Sequence, residues 1–337
     1  MNRIKFFPVL LVLFLLASCS PVDSPLQTTG TGTASAPTTA ASTVIPTLTP
    51  SLTCSDTPVI DIPIPSETPT PTAISLLKVY FVDVRQGDSE LILAPDGGIT
   101  LIDGGEPDSG LLPFLKDHGI THIDLMIATH PHSDHIGGLT QVLNSMPVTR
   151  VVTNGQISTS STFAHFLDAV AADKTAFIIV KQGDTISQGM LDLAVLNPVD
   201  THVSDLNSNS LVLRLVYGRV SFLFMGDADK AAEVNMIAAG LAAPVTILKV
   251  GHHGSDSASS PAFLALIKPA VAIYSAGVGN SFGHPKAVTL TDLAAVGAQI
   301  YGTDLNGTVL VSTDSQTYLV IPAKGGPRLP PLPTITP

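Results

Sequence analysis

The stretch Thr129 to Gly138, Thr-His-Pro-His-Ser-Asp-His-Ile-Gly-Gly, limits the choice of fold more than any other part of the chain. His130, His132, Asp134 and His135 are four metal-competent side chains within six residues. The apolar run Ile123 to Ala128 precedes them and reads as a short buried strand. Gly137-Gly138 and a helical pattern over Leu139 to Ser145 follow. Ligands in such a strand-to-helix loop sit at a sheet edge, where rigid elements on both sides hold their geometry. Imidazole together with carboxylate suits zinc, manganese or iron, not calcium. The bland alternative is a solvated polar loop, but histidine rarely recurs at this density.

Other apolar runs end in residues that carry chemistry. Val79 to Val84 leads into Arg85-Gln86-Gly87-Asp88, which reads as a hairpin turn with Asp83 and Asp88 beside it. Leu101-Ile102 ends in Asp103-Gly104-Gly105, and Ser221 to Met225 ends in Gly226-Asp227. Leu248-Lys249-Val250 ends in Gly251-His252-His253-Gly254, and Asn280 to Pro285 contains His284. Early hairpins followed by strand–helix alternation place the chain in the α/β class, with two mixed sheets face to face and helices outside. The two cysteines, Cys19 and Cys54, both precede this region, so any metal site in it must be built from histidine and carboxylate.

His130, His132, Asp134 and His135 together resemble the HxHxDH signature of the metallo-β-lactamase superfamily. The Asp83–Asp88, Asp227, His252–His253 and Asn280–Pro285 segments sharpen the resemblance to the hydrolase domain of the DNA-uptake protein ComEC and its stand-alone relatives. The resemblance implies a four-layer αββα sandwich. It also implies one or two divalent ions, zinc or manganese. His130, His132 and Asp227 would hold one, and Asp134, His135, Asp227 and His252 the other. Asp83, Asp88 and Asp103 would orient ligands by hydrogen bonds from outside, His253 would do the same or face substrate, His284 would ligate metal or bond the substrate's oxyanion, and Asp134 could pass a proton. Two departures stand out: Arg85 replaces a glycine, and Asn207, Asn209 and Ser210 occupy a place where many members carry a further histidine ligand. His202 is the nearest histidine to that place.

The N-terminus predicts the compartment. Arg3 and Lys5, the apolar run Phe6 to Leu16 and small residues after it make residues 1–18 a signal peptide, too short to span a membrane. Leu16-Ala17-Ser18-Cys19 is similar to a bacterial lipobox, which makes Cys19 the expected lipid anchor. Residues 19–75 are rich in Thr, Pro, Ser and Ala and predict an extended, disordered stalk. Residues 76–324 form the expected hydrolase domain, and 325–337 a proline-rich disordered tail.

A net charge of −11 disfavours a protein that grips nucleic acid through a basic face. A bound divalent pair makes the site itself locally positive, so a phosphate substrate stays open. The expected function is an extracytoplasmic phosphodiesterase or nuclease. Its rivals are a phosphorylcholine-type or other ester hydrolase, and a non-catalytic surface module that keeps the fold. The membrane is the expected partner, through the anchor, with nucleic acid or another phosphodiester as substrate and no protein partner.

Overall fold

Three short apolar runs separated by turn residues form an antiparallel meander of β1 (Leu77–Phe81), β2 (Glu90–Leu93) and β3 (Ile99–Ile102). Parallel strands then follow, β4 (Leu125–Ala128), β5 (Arg150–Thr153) and β6 (Ala176–Ile179). The crossovers are helices α1 (Leu111–Asp117), α2 (Ser133–Leu143) and α3 (Ser161–Asp173). The second half repeats the plan. β7 (Thr185–Gln188), β8 (Leu191–Asn197), β9 (Val212–Tyr217) and β10 (Val220–Phe224) are antiparallel. β11 (Ile247–Lys249), β12 (Val271–Tyr274) and β13 (Gln299–Gly302) continue in parallel through α4 (Lys230–Ala238), α5 (Pro261–Ile267) and α6 (Ala287–Ala295). A single turn, α7 (Thr303–Asn306), leads to β14 (Val309–Thr313), which returns to pair with β1, and β15 (Tyr318–Pro322) closes the edge.

These elements come from a computed structural model that describes residues 76–199 and 205–328. The signal run, Cys19, the stalk, His202 and residues 329–337 lie outside the described residues. No helix among the described residues is long and apolar enough to cross a membrane.

Period-two alternation builds the layers. On β1, Leu77, Val79 and Phe81 point to the space between the sheets, as do Leu125 and Ile127 on β4. They meet Leu213, Leu215, Phe222, Phe224 and Ile273 of the second sheet. The intervening Met126 and Ala128 face the opposite way, onto Leu115 of α1, Leu139 of α2 and Phe166 of α3. Leu223, Leu248 and Ala272 do the same for Met236, Leu264 and Leu293 of α4 to α6. The result is the αββα sandwich. Burying so many aliphatic side chains on both faces of two sheets stabilises the fold at about 25 cal/mol per Å² of apolar surface removed from water.

Three details differ from expectation. β7 has no counterpart in the sequence reading, because Thr185, Ser187 and Gln188 are polar and Ile186 is the buried residue of the four. Helix α2 begins at Ser133, six residues before its apolar pattern, so Asp134 and His135 occupy its first turn. The folded chain also runs past Lys324. Gly326 O accepts from Asn306 Nδ2 at 2.9 Å, and Arg328 reaches Asp304 at 3.7 Å and lies over the Tyr274 ring.

Candidate metal centre

The carboxyl ends of parallel strands, with crossover helices packed behind them, are where ligands gather in such sheets. Here β3, β4, β10 and β11 each end in a residue singled out above: Asp103, the His130 loop, Asp227 and the His252–His253 turn.

Close backbone packing sets the first part of the centre. A Cβ on Gly138 would lie 2.0 Å from Gly104 O, and one on Gly137 2.3 Å from Pro107 Cδ. With no side chains there, α2 presses onto the loop after β3 and carries His135 to Asp103. The buried Asp103 carboxylate accepts from Thr129 N at 2.8 Å, Thr129 Oγ1 at 2.6 Å and His135 Nδ1 at 2.7 Å. That last bond puts the His135 proton on Nδ1 and turns Nε2 inward. Thr129 Oγ1, already donating to Asp103, accepts from His130 Nδ1 at 3.1 Å and turns His130 Nε2 inward in the same way. His130 Nε2 then lies 2.9 Å from His132 Nδ1.

Asp227 sits at the middle. Its Oδ1 is 3.3 Å from His135 Nε2 and 3.4 Å from His253 Nε2. Its Oδ2 is 3.8 Å from His130 Nε2 and 3.8 Å from His252 Nε2. Asp134 Oδ2 approaches His253 Nε2 at 3.2 Å. Despite these approaches, His135 Nε2, His253 Nε2 and Asp227 Oδ1 are buried and make no hydrogen bond. They converge on shared space without aiming at one another. An orphaned buried nitrogen or carboxylate oxygen is costly, and a cation among them supplies what each lacks. The donors are nitrogen and oxygen only, which suits zinc or manganese. His130, His132 and Asp227 lie within 4.8 Å of one another by donor atoms, as do Asp88, His135, Asp227 and His253. The residues present therefore fit a divalent metal.

The electrostatics follow from crowding. Burial and the neighbouring His135 hold the His130 ring well below the usual histidine range, so it is a neutral donor. Burial opposes ionisation of Asp227, but the His253 and His135 rings outweigh it and hold the carboxyl far down. Burial likewise works against a charged His135, and Asp227, Asp103 and Asp134 overcome it, raising that ring well above its ordinary range.

Two of the expected residues are placed differently from the expectation. His253, not His252, stands between Asp134 and Asp227, while His252 faces the other oxygen of Asp227. Both residues adopt left-handed backbone, at φ 47° and 55°, within the tight turn Gly251–Gly254, and their rings face different oxygens of Asp227. Asp83 does not orient a ligand: it is exposed, and its carboxylate accepts from Arg85 N at 3.1 Å. Asp88 is buried and lies 3.1 Å from His253 Nδ1. His284 stands at the rim, its ring centroid 5.6 Å from that of His252 and 6.3 Å from that of His253. Arg85, in left-handed backbone at φ 66°, donates to Asp108 O and takes no part in the cluster.

Lys249 was missed. It is buried on β11 and ion-paired with Asp88 Oδ2 behind His253. Burial works against the Asp88 carboxylate, but the Lys249 ammonium and the His253 ring hold it below its ordinary range. A lysine inside the apolar run Ile247 to Val250 was the available signal, since a buried charge demands a partner.

Residues 82–278 match the family model described as the metallo-beta-lactamase superfamily, and the chain belongs to that superfamily. Within it the sequence is ComEC-like. It is 32% identical over 251 residues to ComE operon protein 3 of Bacillus subtilis (strain 168), covering 69% of this chain and 32% of that protein. It is 28% identical to recombination protein 2 of Haemophilus influenzae, covering 70% of this chain and 29% of that protein. The chain thus spans about a third of the length of these curated relatives. Among solved structures, a mutant CmlA beta-hydroxylase superposes with a TM-score of 0.50 at 16% identity, covering 73% of this chain and 55% of that one, a likeness of fold.

Proposed function

We propose that this chain is a metal-dependent phosphodiesterase, with single-stranded nucleic acid among its substrate class, held outside the cytoplasm by a lipid on Cys19. One observation carries the catalytic part: the Asp227 carboxylate has imidazole nitrogens within 3.3 to 3.8 Å of both its oxygens, and its buried Oδ1 has no hydrogen-bond partner. His130, His132 and Asp227 would hold one ion; Asp134, His135, Asp227 and His253 would hold a second.

Divalent ions bound there would acidify water toward a pKa of ~7 and draw charge from the attacked ester. The remaining work belongs to side chains. Asp134 is the most open carboxylate of the centre, 19% exposed against 3% for Asp227, and the His135 and His253 rings hold its carboxyl well below the ordinary range in spite of burial, so it would serve as an ionised ligand open to arriving water. Asp103 holds His135 in a single tautomer. Burial, with His253, His252 and Lys286 nearby, holds the His284 ring down at about 4. At neutral pH that ring is uncharged, and its place at the rim, beside His252 and His253, lets it face a substrate oxygen. The acidic surface suits a small or flexible substrate reached through the site's own charge rather than a long duplex gripped along a face. ComEC-like relatives support this reading.

The test is turnover of bis(p-nitrophenyl) phosphate and of single-stranded DNA by the full chain reloaded with zinc or manganese, beside His132→Ala and Asp227→Ala. Metal-dependent cleavage abolished in both variants is the expected result. Absence of cleavage by a folded, metal-loaded chain would rule the phosphodiesterase out and favour carboxylic esters or a binding module.

A further inference from the structure

The paired histidines of the turn after β11 make different approaches to Asp227. Their ring planes are inclined at 67° with centroids 5.9 Å apart, and their Nε2 atoms face different oxygens of that one carboxylate. His253 Nε2 turns to Oδ1, the oxygen that His135 also faces. His252 Nε2 turns to Oδ2, the oxygen that His130 also faces. Side-chain bonding fixes the free nitrogen of His252. Ser257 Oγ donates to Ser255 Oγ at 3.1 Å, so at 2.7 Å from His252 Nδ1 it accepts that ring's proton and leaves the Nε2 lone pair open. The His252 backbone is tied as well, through its N–H to Gly226 O at 3.0 Å, next to Asp227.

Asn207 supplies a second observation at the same place. This residue belongs to the segment that carries no histidine ligand, yet its side chain comes to the centre: Nδ2 lies 3.4 Å from His252 Nε2. Its Oδ1 is buried and has no partner. Turning the amide about its terminal bond exchanges the two atoms, which places an oxygen donor beside the open imidazole nitrogen.

We infer that the two adjacent histidines are divided between two metal positions, with His252 and the Asn207 side-chain oxygen completing the His130–His132–Asp227 position and His253 serving the other. The histidine absent from residues 207–210 is thereby replaced from a different strand end. This inference rests on the metal centre proposed above and goes further by assigning a complete donor set to each ion. It also gives a reason for the left-handed backbone at two successive non-glycine residues. That conformation is costly for each, and here it sends neighbouring rings to opposite sides of one carboxylate.

Metal counting on the full-length chain tests it. The protein is stripped with chelator and reloaded with zinc or cobalt, and bound metal is measured by mass spectrometry and by titration calorimetry. The wild type is expected to hold two ions, and His252→Ala and His253→Ala one each. The His132→Ala/His252→Ala double variant should still hold one, because both changes strike the same position. The His252→Ala/His253→Ala double variant should hold none. Asn207→Asp, which adds a charge without removing a donor, should tighten the weaker ion by about tenfold or more. It also keeps the test open if an alanine variant fails to fold.

Two ions retained by His252→Ala would overturn the division of the histidines and leave the proposed phosphodiesterase standing. So would loss of both ions from His132→Ala/His252→Ala, or unchanged affinity in a folded Asn207→Asp. A wild type that binds one ion would overturn the division alone. A wild type that binds none would overturn both the division and the metal-dependent reading.

Discussion

At the scale of single residues, the centre is held from behind as much as it is built in front. Asp103 accepts three hydrogen bonds and fixes the tautomer of His135. Asp103→Asn keeps the volume but offers an amide N–H where an acceptor is needed. Metal affinity is therefore expected to fall by about 10–100-fold, read by calorimetric titration with zinc; unchanged affinity would show that Asp103 serves the fold alone. Lys249 is a different case. It is 1% exposed and pairs with a carboxylate that is equally buried. Lys249→Met removes the ammonium that pairs with Asp88 and leaves the buried carboxylate with the His253 ring alone, and is expected to cost about 3–5 kcal/mol in urea unfolding. Adding Asp88→Asn should recover part of that loss, because the stranded charge is then gone as well. These residues also show where sequence reading stops. His130, His132, Asp134 and His135 announce themselves by density within one loop. The exchange of His252 and His253 does not, because it depends on φ signs in a four-residue turn. Asn207 is similar: nothing distinguishes it from other loop asparagines until the fold sets it against His252.

At the scale of elements, two contacts decide whether the site assembles. Helix α2 reaches the loop after β3 through Gly137 and Gly138, and a methyl group on Gly138 would collide with a backbone oxygen that cannot move aside. Gly138→Ala is expected to cost about 1–3 kcal/mol and to weaken metal binding with it, since His135 rides on that helix. A Gly138→Ala variant with native stability and full metal content would contradict this packing argument. On the far side, Glu233 of α4 is buried and accepts from Ser259 N and Ser260 N, joining α4 to the start of α5. Burial raises its carboxyl above the ordinary glutamate value of 4.5, in spite of those bonds. Between 4.5 and the raised folded value the native state binds more protons than the unfolded one, so stability falls as pH rises through that window. Glu233→Gln removes the titration. Its urea midpoint is expected to decline less than the wild type's between the acid and neutral sides of the window; parallel declines would assign the pH dependence elsewhere. The elements that the sequence revealed were the apolar strands and the helices with a buried stripe. β7 stayed hidden because one buried isoleucine does not make a pattern, and the start of α2 because its first turn, Ser133-Asp134-His135, is polar and titratable.

At the scale of the whole molecule, two halves of similar plan, each an antiparallel run followed by parallel strands, bring the ends of β3, β4, β10 and β11 to one edge. The fold class was legible from the order of strand and helix patterns, and the four layers followed from the resemblance. Which oxygen of Asp227 meets which imidazole required the assembled sandwich, since His130 and His135 come from the other sheet, more than ninety positions away. The centre's donors must be deprotonated to bind metal, so acidification is expected to release it as the histidines protonate. Metal retained by the wild type after dialysis at low pH would contradict an imidazole-based site.

The most direct test of the account is anomalous diffraction from crystals of the full chain grown with zinc or manganese. The expected map has its anomalous peaks beside the Asp227 carboxylate, one toward His130 and His132 and one toward His135 and His253. A well-ordered fold with no peak at Asp227, or with metal bound only elsewhere, would contradict the central claim that this edge of the sandwich is a metal centre.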